Sequence, residues 1–388
     1  MRSLALFLSV LAMAAPATAM AAKRRAPHGF FGTVWDLAAA RTHGSLNAHE
    51  WGVMARSGVE SVRASFNWNM AQPNVGGPIS YARTDAVVGR AARHGLTVLP
   101  VVEFAPAWAR AYPERAASPP ASPGPYTDYL VALIRRYGPH GHFWRTHRRI
   151  PAHPIHEWQV WNEPELPRGW DVPPDSPYAW PRGYVNLLAP AYRRIKATDR
   201  HARVVMAGLA NDSWFRLGQL YRAGGRRFFD VAAFHLYTSS ATSVLRAARR
   251  VRTTMRNHGD RRKPLYATEI GCPAARGRVS GNIRFVSTTD RGMARCVRLV
   301  YGRLLRGKGR ARRFRRLRLF RVYWYTWGTA YHGDELFSYA GLRRLIHNRR
   351  FVSRPALRAY QRSARLYEGC AKTSTGHCRR RHHRRRHR

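Results

Sequence analysis

His156-Glu157-Trp158-Gln159-Val160-Trp161-Asn162-Glu163-Pro164 is an apolar run that ends on an amide, a carboxylate and a proline. It is too short for a stable helix and is rich in residues that favour sheets. It stops where proline removes a ladder donor, so it reads as a buried strand with its polar groups at the C-terminal end. Pro264-Leu265-Tyr266-Ala267-Thr268 repeats the pattern and closes on Glu269. Outward from these two runs, apolar stretches at residues 29–35, 61–67, 97–103, 157–162, 203–209, 230–237, 265–269 and 319–327 alternate with helical patterns. The helices fall at 47–57, 84–94, 126–137, 184–196, 215–223, 243–257, 291–305 and 355–367. Such alternation predicts a parallel sheet with helical crossovers. An open doubly wound sheet is the competing arrangement, but no glycine-rich phosphate loop follows the first strand, and eight units close more naturally than they stay open. The expected fold class is α/β, a single-domain (β/α)8 TIM barrel over residues 27–367.

The composition fits one large domain. The chain has 388 residues, 45% of them hydrophobic, with 12 Trp and 18 Tyr, enough to bury a core without staples, which excludes disorder for most of its length. Residues 1–22 read as a secretory signal peptide: Met1-Arg2-Ser3, an apolar stretch from Leu4 to Ala15, then Pro16 and small residues before Lys23. An uncleaved anchor is the alternative, because residues 4–22 carry no charge. The expected location is extracellular, and the four cysteines are expected to be oxidised there. Of three pairings, Cys370 and Cys378 bracket a short polar segment, which leaves Cys272 and Cys296 to each other. No ligand-spaced His or Cys cluster stands out, so neither a metal nor a cofactor is expected.

Charge is the strongest compositional deviation. Lys and Arg number 68 against 21 Asp and Glu, a formal net charge of +47 and a pI near 11.7, yet only five of the basic residues are lysine. A coding bias toward arginine explains part of this excess. No helix-turn-helix, zinc or RNA-recognition signature is present, so no specific nucleic acid is expected. The densest basic stretches are residues 135–149, 193–203, 249–263, 303–318 and 379–388, the last in a basic Arg/His-rich tail over 368–388. The first four join helices to the following strands, at the bottom of a barrel, and predict a basic pole that holds a monomer on an anionic cell-surface polymer or lipid.

In this fold chemistry sits at the C-terminal ends of the strands, and Glu163 and Glu269 fall there on strands 4 and 7. Trp35, Asp36, Arg63, Glu103, His235, Tyr237 and Trp327 fall within or at the ends of other strands. Hydrolysis at an anomeric carbon needs one carboxyl protonated, to release the leaving oxygen, and one ionised, to meet the positive charge on the sugar. Polar groups around a tryptophan suit a saccharide, whose faces stack on rings while its rim needs hydrogen bonds. The proline-rich segments 111–125 and 165–182, the second with Trp170, Tyr178 and Trp180, either extend that cleft or cover the helices from outside.

Trp161-Asn162-Glu163-Pro164, His235-Leu236-Tyr237, Ala267-Thr268-Glu269-Ile270-Gly271 and Tyr323-Trp324-Tyr325-Thr326-Trp327 together resemble a clan-A retaining glycoside hydrolase, of the cellulase-type family 5 or xylosidase-type family 39 kind. The resemblance covers nearly the whole mature chain. It implies that Glu163 is the acid/base and Glu269 the nucleophile, about 5 to 5.5 Å apart. It also implies that Asn162 holds the sugar 2-hydroxyl and the nucleophile, that Arg63 and Tyr237 bond Glu269, that His235 orients the same corner, and that Trp327 floors the reacting subsite. Asp36 and Glu103 receive no fixed role from it. The expected function is secreted, retaining hydrolysis of a β-linked oligo- or polysaccharide. The alternative is a catalytically idle barrel that binds cell wall or polyanion, against which Glu163, Glu269, Asn162 and Arg63 occur together.

Overall fold

The computed structural model describes residues 23–41, 44–281, 285–347 and 349–379. Eight parallel strands, β1 (Phe31–Trp35), β2 (Ser61–Asn67), β3 (Thr97–Glu103), β4 (Glu157–Val160), β5 (Arg203–Val205), β6 (Ala232–Tyr237), β7 (Leu265–Gly271) and β8 (Leu319–Trp324), pair in the order β5-β4-β3-β2-β1-β8-β7-β6. The ends of that row meet. Val205 bridges Val231, Leu209 bridges Phe234, and the His235 amide donates to the Leu209 carbonyl at 2.7 Å. The sheet is therefore the expected (β/α)8 barrel.

The strands are buried on both faces, as a parallel sheet under helices requires; every residue of β7 is buried. The covering helices bury one stripe each. In the helix Ala241–Asn257, Val244, Leu245, Ala248, Val251 and Met255 recur at three- and four-residue spacing, and Ser240 caps the N-terminus by accepting from the Thr242 amide. Inside the barrel, alternate residues of β4 point inward. Glu157 accepts from Tyr266 at 2.6 Å and pairs with Arg321 at 3.0 Å, and two residues on Gln159 meets Arg63.

The structure shortens several expected strands: strand 5 ends at Val205 rather than residue 209, and strands 1 and 6 each start two residues later than expected. Strand 4 ends at Val160 rather than residue 162, because Trp161 and Glu163 turn out of extended geometry with φ of 68° and 44°. Strand 8 ends at Trp324 rather than residue 327, because the chain turns there into a second sheet that was not expected: β9 (Gly328–Ala330), β10 (Arg343–Ile346) and β11 (Arg350–Ser353). The Leu342 and Arg343 amides donate to Thr326 and Trp327, so the end of the apolar run belongs to this small sheet. The signal segment and residues 380–388 of the tail lie outside the described residues.

Two disulfides join Cys272 to Cys296 and Cys370 to Cys378, with Cα separations of 6.5 and 5.6 Å. The first ties the end of β7 to the helix Asp290–Leu305. Its sequence separation of 24 corresponds to about 3 kcal/mol of lost chain entropy in the unfolded state. The double variant Cys272→Ser/Cys296→Ser should lose about that much stability in urea unfolding. A non-reducing peptide map with both thiols free would overturn the pairing.

Candidate active site

The β4 end is built under strain. Positive φ at Trp161 and Glu163 costs on the order of 1–3 kcal/mol at each residue, so surrounding bonds must over-determine the turn. They do. The Trp161 amide donates to Val102 at 3.0 Å, its indole N–H to the Gly169 carbonyl at 2.6 Å, and the Glu163 amide to the Gly208 carbonyl at 3.1 Å. The result turns the Asn162 and Glu163 side chains into a cavity of about 340 Å³ at the barrel mouth, which Asp36, Arg63, Glu103, Tyr237 and Glu269 also line.

Arg63 organises that cavity from β2. Its Nε donates to Gln159 Oε1 at 2.7 Å, one terminal nitrogen to Glu269 Oε1 at 2.6 Å, and the other to Asn162 Oδ1 at 2.7 Å. The Gln159 amide nitrogen is in turn used on the Met206 carbonyl at 3.0 Å, which fixes which way that side chain faces. With its oxygen taken by Arg63, Asn162 keeps its amide N–H groups for a ligand. Tyr237 donates to the other oxygen of Glu269.

Glu163 is gripped differently. His235 Nδ1 lies 2.8 Å from Glu163 Oε1, and Arg168 reaches Oε2 at 2.7 Å. Since Nδ1 faces a carboxylate, it carries the hydrogen. The other ring nitrogen, Nε2, is buried without a partner over Gly208, where a Cβ would sit 1.9 Å from it; only glycine leaves room for that imidazole. Burial opposes ionisation of Glu163, but His235 and Arg168 outweigh it and hold the carboxyl down at about 2. Glu163, His235 and Glu269 bring one ligand atom each within 4.8 Å of one another, a donor set that could hold a metal ion. Yet all four carboxylate oxygens already face Arg63, Arg168, Tyr237 or His235, which a metal would have to displace.

The remaining carboxyls go the other way. Burial, helped by the charges of Glu269 and Glu163, lifts Glu103 to about 7, and burial with Glu269 lifts Asp36 to about 6. Ser65 donates to Glu103 at 2.6 Å and Thr326 to Asp36 at 2.8 Å.

Of the residues singled out from sequence, Arg63, Asn162, Glu163, His235, Tyr237 and Glu269 meet at this mouth, His235 beneath the lining rather than on it. Trp327 does not join them. Its ring is 0% exposed and its N–H donates to Glu50 at 2.8 Å, because the chain after Trp324 folds into the small sheet; a ring with no free face cannot floor a sugar site. The aromatic lining comes instead from Phe104, Tyr237, Tyr325 and Phe337. Trp170 and Trp180 also lie elsewhere. They pack against Trp161 and Tyr184, so for these two rings the covering reading holds, while Arg168 and Gly169 of the same segment line the mouth. Gln159, Arg168, Tyr325 and Phe337 were missed. Gln159 left a signal, a lone amide inside an apolar strand, whereas Arg168 and Phe337 sit in segments without periodicity.

No family model matches the chain, and no curated protein matches it in sequence. Solved structures do match. A family 39 glycoside hydrolase from the gut symbiont Bacteroides cellulosilyticus WH2 aligns with a TM-score of 0.63 at 16% identity, over 88% of this chain and 64% of its own. A monomeric beta-xylosidase from Caulobacter crescentus CB15 gives 0.62 at 18%, over 88% and 69%. A GH5_18 protein from Bifidobacterium longum subsp. longum gives 0.59 at 14%, over 89% and 80%. The chain thus spans just under two thirds of the Bacteroides protein. At these identities the likeness is one of fold, the (β/α)8 barrel.

The raised Glu103 gives a test of the site's electrostatics. A carboxyl whose folded pKa exceeds its unfolded value contributes stability below the unfolded pKa, and that stability is lost as pH rises through about 7. Between pH 4 and pH 8 the loss due to Glu103 should be on the order of 3 kcal/mol, and Glu103→Gln should lack it. Urea midpoints of both proteins at the two pH values measure the difference.

Proposed function

We propose that the protein is an exported retaining glycoside hydrolase that cleaves β-linked saccharides by double displacement. One observation carries this reading: two buried glutamates at the ends of strands 4 and 7 present carboxylate oxygens within 4.8 Å of each other inside the mouth cavity. Oxygens this close favour the carboxyl spacing of about 5–5.5 Å found in retaining pairs over the roughly 6.5–9.5 Å that leaves room for the water of an inverting enzyme. The likeness of fold to glycoside hydrolases supports it, and two disulfides support export.

Each residue then has a defined task. Glu269, its charge matched by Arg63, attacks the anomeric carbon, while Glu163 protonates the departing oxygen; the glycosidic bond breaks and a glycosyl ester of Glu269 forms. Glu163, now ionised, takes a proton from water, whose oxygen displaces Glu269 from the anomeric carbon with a second inversion. Asn162 donates its free N–H to a sugar hydroxyl, and Tyr237 holds Glu269 in line. The cavity is at the small end for ligand pockets, which favours short saccharides over long polymers in a groove.

Glu269→Gln should abolish hydrolysis of all substrates, whereas Glu163→Ala should spare aryl glycosides with good leaving groups and recover with azide. NMR of the first-formed product should show retained configuration; an inverted product, or no turnover of any glycoside, would overturn the reading.

Arg168 sets a condition on this mechanism. Glu163 must be protonated to act as acid, yet in the free protein Arg168 and His235 favour its ionised form. Facing Glu163 are His235 from β6, Glu269 from β7, Glu103 from β3 and Arg168 from the loop after β4. Arg168 is the half-exposed one, which a sugar entering the cavity can push aside. Arg168→Ala should therefore raise the alkaline limb of the kcat/KM profile by about one pH unit. A limb that stays or falls would show that Arg168 does not tune the acid.

A further inference from the structure

At the end of the barrel opposite the mouth, a concave cluster of arginines has no counter-charge. A cavity of about 460 Å³ is lined by Arg93, Arg145, His147, Arg148 and Arg149, all exposed, with no acidic side chain among its lining residues. Their arrangement is fixed from below. The helix Ala82–Arg93 ends in Arg93, while Phe143, Trp144 and Ile150 are buried around the other three arginines, with the Trp144 N–H on the Tyr137 carbonyl at 3.0 Å and His147 stacked on Phe143 at 4.2 Å. Like charges are thus held together by packing, not by mutual preference.

Of the acids at this end, Asp199 makes no ion pair but accepts from the His201 amide in its own turn and does not line the cavity, and the following ones are already paired. Glu60 is taken by Arg24 and Lys372, Glu157 by Arg203 and Arg321, Asp230 by Lys196, and Asp260 by Lys263 and Arg226. Residues 135–149 contain no Asp or Glu at all. Among the described residues the guanidiniums of Arg93, Arg145, Arg148 and Arg149 make no ion pair, so their repulsion stands until an anion enters.

We propose that this cavity is a docking site for a phosphate-rich linear polymer, which lays successive phosphates across the four guanidiniums. Arginine forks match phosphate oxygens two at a time, which ammonium groups do not. Nucleic acid and bilayer fit less well. Stacking on bases or inserting between lipids needs several exposed rings or aliphatic side chains together; the exposed Met70, Val75, Phe215 and Phe285 follow the C-terminal ends of strands, on the mouth side, and Leu366, in the last turn of the helix Pro355–Glu368, is a single such side chain towards the base. Recognition at the base is left to the phosphates alone. It holds the mouth facing away from the polymer and does not depend on what the mouth cleaves.

The test uses the mature chain and linear inorganic polyphosphate of defined length, read by fluorescence anisotropy. With four phosphates neutralised, affinity should fall about 50-fold between 50 and 200 mM salt. The variant R93Q/R145Q/R148Q/R149Q should bind at least tenfold more weakly, while R222Q/R249Q/R358Q/R365Q, which removes as much exposed charge elsewhere, should lose far less. Urea midpoints confirm that both variants fold. Equal loss in the two variants, or none in the first, would falsify the site. Tighter binding of single-stranded DNA of equal phosphate number, or of anionic vesicles of equal phosphate content, would overturn the choice of partner.

Discussion

The guanidinium of Arg63 is the piece on which the mouth of this barrel depends. Three of its nitrogens reach three side chains, Gln159 in the fourth strand, Asn162 just beyond it and Glu269 in the seventh, so one side chain fixes the spacing across the barrel. The pair it forms with Glu269 is almost wholly buried, with side-chain exposures of 4% and 9%. Removing one partner of such a pair costs about 3–5 kcal/mol because the other is left charged and unpaired. The same burial that makes the arrangement costly to break also holds the Glu269 carboxylate in one place.

Four carboxyls share one small cavity, and their environments divide them. Glu269 has a cation and a phenol, Glu163 an imidazole and a half-exposed arginine, while Asp36 and Glu103 have mainly hydroxyl donors and burial, and are pushed up to about 6 and 7. Chemistry on two carboxyls needs them unlike, and here unlikeness comes from which neighbours each strand supplies. Under the proposed mechanism the Arg168 contact is what separates Glu163 in the free protein from Glu163 as an acid, because it is the half-exposed grip that a ligand can reach.

Most of this was legible before any coordinates. The eight strands, the register of Glu163 and Glu269 to the same end, Arg63 two residues into its strand and the Cys272–Cys296 pairing follow from periodicity, strand-end position and cysteine spacing. What was illegible depends on residues far apart in the chain. Tyr323-Trp324-Tyr325-Thr326-Trp327 reads as continuous strand, and nothing within it says that Trp327 will be drawn off by Glu50, which Arg343 also holds at 3.0 Å. Arg168 lies in a loop with no repeating pattern, and its partner is known only once the turn at Glu163 takes its left-handed shape. Gln159 is the intermediate case: an amide in an apolar strand announces a buried partner without naming it.

The charge distribution bears on the same site from a distance. A formal charge of +47 places every carboxyl in a positive potential that favours its ionised form, strongest at low salt. That Asp36 and Glu103 are nevertheless raised means that local desolvation outweighs the field of the whole molecule, as expected when burial acts within a few ångströms and the surface charges act through solvent. The bottom of the barrel can therefore carry a dense basic surface without imposing its sign on the mouth. A fold that puts its chemistry and its connecting helix-to-strand loops at opposite ends keeps those two electrostatic problems apart.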